Sequence, residues 1–138
     1  MNIGFKYKTI LISVISGIAV LGSLFFSEYL KLPPCNLCWY QRIFLYPIPI
    51  ISIVAYRTND LLFNFYTGIL SFIGLLFAAY HTYIQNNQYN SMFCSISSES
   101  CTTIHYELFG FVTIPFLSFI TFLSIFLISV LKEREYSY

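Results

Sequence analysis

Charge is what this chain has least of. Of its 138 residues only 9% are Asp, Glu, Lys or Arg, against roughly a quarter in soluble domains. Seven basic and six acidic residues leave a net charge of +1. That balance excludes the basic field that draws nucleic acid or other polyanions to a surface. The length leaves no room for a soluble domain beside membrane segments. No internal repeat or low-complexity tract is present, and no Ala-x-Ala site follows the first apolar run, so that run reads as an uncleaved span rather than a signal peptide. Cysteine is scarce too: Cys35, Cys38, Cys94 and Cys101 are the whole complement.

What the chain does have is apolar length. It is 57% hydrophobic and 20% aromatic, and its uncharged runs are long enough to cross a hydrocarbon core of ~30 Å. The pattern predicts an all-α membrane protein, a single domain over residues 1–138, built as a four-transmembrane-helix bundle. The spans are expected near 9–28, 39–57, 61–83 and 109–131, with outer loops at 29–38 and 84–108. Lys6, Lys8, Arg57, Lys132 and Arg134 then fall on one side, and only Lys31 and Arg42 do not. By the positive-inside rule both termini are expected in the cytoplasm, and the cysteines on the extracytoplasmic face of the cell membrane, where disulfides persist.

The connections differ in character. Arg57-Thr58-Asn59-Asp60 is a minimal polar turn that makes spans two and three a hairpin. Pro33-Pro34 closes the first outer loop and can open the helix after it. Small-xxx-small pairs, Ser13 with Gly17 and Gly74 with Ala78, are expected at helix contacts. Trp39, Tyr40, Tyr80 and Tyr83 suit the outer membrane interface.

The chemistry rests on the cysteines. Cys35 and Cys38 follow the prolines, so they lie at a helix N-terminus, where partial positive charge favours the reactive thiolate. Arg42 lies four residues beyond Cys38, on the same helix face. Snorkelling to the headgroups competes with a functional role for it, but an ionisable residue within a span is a functional candidate by default. Pro47 and Pro49 are expected to kink this helix and to shape a pocket or serve packing alone. In the second loop, Cys94 and Cys101 flank a polar spacer able to bend the thiols together, next to an apolar patch of Met92, Phe93 and Ile96. His81 and, more weakly, His105 are candidates for a proton or hydrogen-bond role. From spacing alone three readings of the cysteines stand: a redox relay, structural bridges with three possible pairings, and a zinc site, for which the second spacer is long. Spacing and topology favour the relay.

The run Pro33-Pro34-Cys35-Asn36-Leu37-Cys38-Trp39-Tyr40-Gln41-Arg42, then Tyr46-Pro47, the two-cysteine second loop and Phe109-Gly110-Phe111 through Pro115 carry a resemblance across nearly the whole chain. The sequence resembles the disulfide bond formation protein B family, most closely its BdbC-type branch. The resemblance implies a quinone reductase that reoxidises an extracytoplasmic thioredoxin-fold dithiol oxidase of the DsbA or BdbD kind, with menaquinone or ubiquinone as acceptor and neither flavin nor metal. It implies redox pairs Cys35–Cys38 and Cys94–Cys101. Cys94 takes the mixed disulfide with the partner, Cys101 passes electrons to Cys35, and Cys38 meets the quinone beside Arg42. His81, thirteen residues before Cys94, matches a family histidine and is implied at the quinone site. The chain departs from the family in its short second spacer, which leaves open the loop cysteine attacked, and in Gln41, which replaces an acidic residue. The vitamin K epoxide reductases, with the order of the pairs reversed, fit less well. The competing expectation from another class is a non-enzymatic membrane scaffold with two structural disulfides.

Overall fold

The structure is a computed structural model in which residues 3–31, 36–87, 107–108 and 112–131 are described. The first apolar run forms helix α1 (Ile3–Leu24), which passes directly into a π-helical segment, Phe25–Tyr29. Helix α1 starts ahead of the uncharged run and carries Lys6 and Lys8 in its first turns. Both lysines find partners at that end. The Lys8 ammonium donates to the carbonyls of Ser129 and Leu131 at 3.2 and 2.9 Å, groups that the end of a helix leaves without an intrahelical donor. The Lys6 ammonium lies 5.5 Å from the centre of the Tyr56 ring.

The second run is two helices, α2 (Asn36–Leu45) and α3 (Pro47–Thr58). Tyr46 still donates its N–H to the Arg42 carbonyl at 2.9 Å. Pro47 and Pro49 have no N–H, so the carbonyls of Ile43 and Leu45 lose their helical donors and the helix breaks. Pro47 resumes it at a first-turn position, where a missing N–H costs nothing. Helix α3 ends at Asn59, whose left-handed φ of 53° is one that asparagine tolerates better than most residues. The Asp60 carboxylate accepts the Leu62 N–H at 2.9 Å, an Asx turn that starts helix α4 (Phe63–Asn87).

Before the last helix, strands β1 (Glu107–Leu108) and β2 (Val112–Thr113) pair antiparallel, with Glu107 opposite Thr113. Helix α5 (Ile114–Val130) follows without a linker. Within the expected stretch 109–131 helix therefore begins at Ile114: residues 112 and 113 are committed to the hairpin, and Pro115 sits in the first helical turn.

Among the described residues, three segments are long and apolar enough to cross a membrane: Ile3–Tyr29, Asn36–Thr58 and Phe63–Asn87, of 27, 23 and 25 residues. At 1.5 Å per residue they reach roughly 40, 35 and 37 Å against a hydrocarbon core of about 30 Å. The shorter α5, of 17 residues, reaches about 25 Å.

The helices pack side by side around one core. α4 lies along α5, α1 against α3 and α5, and α2 against α4. Among the described residues, Phe63 and Phe122 are the largest side chains fully enclosed. Gly74 lets α4 and α5 close up, because a Cβ there would overlap the Phe122 ring; Ala78, one turn on, is also fully buried. The expected Ser13–Gly17 seam does not form in this way, since the space around Gly17 is open. Ser16 takes its place in the α1 contact. Buried Thr9, Ser16, Ser52 and Ser71 each donate to the carbonyl four residues earlier, at 2.7 or 2.8 Å. These hydroxyls are satisfied within their own helices and so can pack in an apolar contact.

Candidate functional site

The end of the molecule opposite Lys6 and Lys8 holds Cys38, Arg42 and His81. Helix α2 begins at Asn36, which places Cys38 in its first turn. Cys38 is half-buried and packs with Phe77 against Leu37 and Ile84. A first-turn thiol lies beside the helix N–H groups that have no intrahelical acceptor.

One turn deeper, Arg42 reaches across to α1. Its guanidinium donates to the Ser23 carbonyl at 3.3 Å and to the Ser27 hydroxyl, at the junction where α1 becomes π-helical. It also lies 5.7 Å from the centre of the Trp39 ring, within cation–π range. A charge within this run is therefore held by a carbonyl, a hydroxyl and an aromatic face.

Arg42 borders an open groove of about 370 Å³, lined by Trp39, Arg42, Ile43, Tyr46, Pro47, Ile50 and Ile51. The helix break shapes this groove, since Tyr46 and Pro47 form part of its wall. Its lining is apolar and aromatic apart from the guanidinium. A planar, apolar molecule with carbonyl oxygens fits such a surface: the rings supply stacking area and Arg42 a charged donor.

Gln41 points to the other side of α2. It is only 6% exposed and its amide nitrogen lies 3.1 Å from Nδ1 of His81, which is 3% exposed. His81 thus sits on the buried α2–α4 seam and not in the groove. Phe77, one turn before it on α4, stacks on Tyr40 and Phe44 of α2 at 5.4 and 5.7 Å between ring centres. Together these contacts hold α2 against α4 at the level of Cys38.

Of the residues expected to carry chemistry, Cys38, Arg42 and His81 come together around one short helix. Cys35, Cys94, Cys101 and the pairings Cys35–Cys38 and Cys94–Cys101 lie outside the described residues, as does His105. Among the described residues no three His, Cys, Asp or Glu side chains form a metal-binding group. Two features escaped the sequence reading. Gln41 was noted only as a replacement for an acidic residue, and Ser23 and Ser27 not at all. The signal for Gln41 was available: a buried amide in an apolar helix needs a partner.

The family model for disulfide bond formation protein DsbB matches residues 6–132. The SPbeta prophage-derived disulfide bond formation protein B of Bacillus subtilis is 42% identical over 137 residues, covering 94% of this chain and 93% of that protein. A probable disulfide formation protein C 2 of Bacillus cereus is 43% identical over 132 residues, 94% of each chain. A probable disulfide formation protein C of Halalkalibacterium halodurans is 42% identical over 118 residues, covering 85% of this chain and 86% of that protein. No solved structure gives a significant match. With one family model spanning nearly all of the chain and relatives at this identity over most of their lengths, the protein belongs to the disulfide bond formation protein DsbB family.

Proposed function

We propose that this protein is a membrane thiol–disulfide oxidoreductase that reoxidises an extracytoplasmic thioredoxin-fold dithiol oxidase and passes the electrons to a membrane quinone, menaquinone or ubiquinone. The observation that carries this reading is the placement of Cys38 in the first turn of α2, one turn from Arg42 and the apolar groove beside it. The groove residues Trp39, Ile43 and Ile50 are exposed, so an acceptor dissolved in lipid reaches the groove laterally.

In this reading the partner's dithiol exchanges with Cys94–Cys101 through a mixed disulfide, and that pair then exchanges with Cys35–Cys38. Each exchange forms one sulfur–sulfur bond and breaks one. The final step turns the Cys35 and Cys38 thiols into a disulfide, releasing two electrons and two protons. Bound in the groove, a quinone takes up both and becomes the hydroquinone. Arg42 holds a carbonyl oxygen of the acceptor as its negative charge grows, a contact worth more late in the transfer than in the resting complex. Helix α5 and the extended residues before it complete a fourth crossing. Both chain ends lie in the cytoplasm, and the cysteines face outward.

Quinone reduction in membranes or detergent, with a reduced thioredoxin-fold oxidase as donor, tests the proposal. We expect one hydroquinone per partner disulfide, and loss of turnover in Cys38→Ser. Wild-type protein that leaves both quinone and partner unchanged would refute it, and is what a scaffold with two static disulfides would give.

A further inference from the structure

We propose that Ser27 positions Arg42 for the acceptor. Together with the Ser23 carbonyl it ties one corner of the guanidinium to the end of the first membrane segment, so that a quinone entering the groove meets the group already oriented. The inference rests on the function proposed above and names the residue through which that first segment acts on the site.

Ser27 departs from the way other helical hydroxyls of this chain are satisfied. Thr9, Ser16, Ser52 and Ser71 each donate to the carbonyl four residues earlier, and Thr58, Thr82, Thr121 and Ser124 do the same. That local bond is the usual one for a hydroxyl within an apolar helix. For Ser27 the corresponding carbonyl belongs to Ser23, and there the Arg42 guanidinium donates. The Ser27 hydroxyl oxygen accepts from the same guanidinium. An arginine of α2 has taken the place of the local bond at both of its ends. The exchange falls where the helix changes register. Residues Phe25–Tyr29 are π-helical, and Leu30 donates to the Phe25 carbonyl five residues back, at 3.4 Å. A turn closed over five residues loosens the four-residue spacing on which the local bond depends.

The geometry of the contact suits positioning. Both hydrogen bonds come from a single terminal nitrogen, Nη2 of Arg42. They hold one corner of the planar group, while Nη1 and Nε, which carry its other N–H donors, take no part in them. The Trp39 ring, 5.7 Å from the guanidinium, restricts the group from a second side. Arg42 and Trp39 both line the groove, and Ser27 is not part of that lining. Ser27 therefore acts on an acceptor only through Arg42. A long side chain held in this way gives up its rotamer freedom before the acceptor arrives, so binding has less ordering left to pay for. Loss of the Ser27 hydroxyl should accordingly be felt as weaker acceptor binding, and only while Arg42 is present.

Full-length protein in detergent allows a test without turnover. Trp39 is the only tryptophan of the chain and lines the groove, so quenching of its fluorescence by menadione, a small naphthoquinone, reads the dissociation constant at the groove. We expect Ser27→Ala to raise that constant about fivefold, the scale of one lost hydrogen bond. Ser27→Thr keeps the hydroxyl and should stay within about twofold of wild type. In an Arg42→Ala background, Ser27→Ala should add less than about twofold, because a residue that acts through Arg42 then has nothing to position. An unchanged constant in Ser27→Ala, a Thr variant as weak as the Ala variant, or an equal loss with and without Arg42 would each overturn the inference. Turnover with a reduced thioredoxin-fold oxidase is read separately. Menadione binding without turnover defeats the proposed function and leaves the Ser27 comparison to stand, whereas turnover without quenching of Trp39 keeps the function and overturns the inference.

Discussion

Arg42 shows how a membrane helix can keep a permanent charge at little cost. The Ser23 carbonyl, the Ser27 hydroxyl and the Trp39 ring share the guanidinium, and Arg42 also lines the groove, with N–H donors beyond those two contacts. If those donors hold the acceptor, Arg42→Ala should raise the KM for quinone about tenfold or more, since charge-assisted hydrogen bonds contribute roughly 1.5–3 kcal/mol. Arg42→Lys should recover only part of the loss, because an ammonium cannot serve the same set of partners in one plane. Steady-state kinetics at varied quinone would check both, and an unchanged KM would make Arg42 a purely structural tie to α1. The charge and its spacing from Cys38 were legible in the sequence. Its partners were not, because Ser23 and Ser27 gain meaning only when α1 and α2 are seen side by side. The same holds for Gln41 and His81, forty residues apart, which no local pattern joins.

Among the elements, the apolar runs announced their helices, and Pro47 announced the break after Tyr46. The ends were harder to read. Lysines at positions 6 and 8 looked like a boundary, yet α1 continues through them because Lys8 meets the closing carbonyls of α5. The π-helical close of α1 has no sequence signature of its own, and the β1–β2 hairpin delays the start of α5. Small-residue spacing pointed correctly to Gly74 and not to Gly17, because spacing alone does not say which face a neighbour covers. The Gly74 contact can be tested. Gly74→Leu should destabilise the protein by about 1–3 kcal/mol, the usual range for overpacking, read by thermal or denaturant unfolding. Adding Phe122→Ala should return part of that loss, since the two side chains compete for one space. Strict additivity would mean that the helices separate instead.

For the whole molecule, the described cations divide by end. Lys6, Lys8 and the Arg57 turn gather at one end, and Cys38 lies at the other. If the positive end is cytoplasmic, a membrane-impermeant maleimide added outside intact cells should label Cys38 in a form with the other cysteines replaced, and should not label a cysteine introduced at Asn59. The reverse pattern would invert the orientation. The Lys8 contact has a further consequence. Because α1 is joined to α5, the described helices form a nearly closed ring whose gap falls between Ile3 and Leu131. The α3–α4 turn lies at that same end, so a gap moved there would leave every helix pointing as it does now. Neighbour relations, and not the order in which the helices are read, are what this architecture encodes.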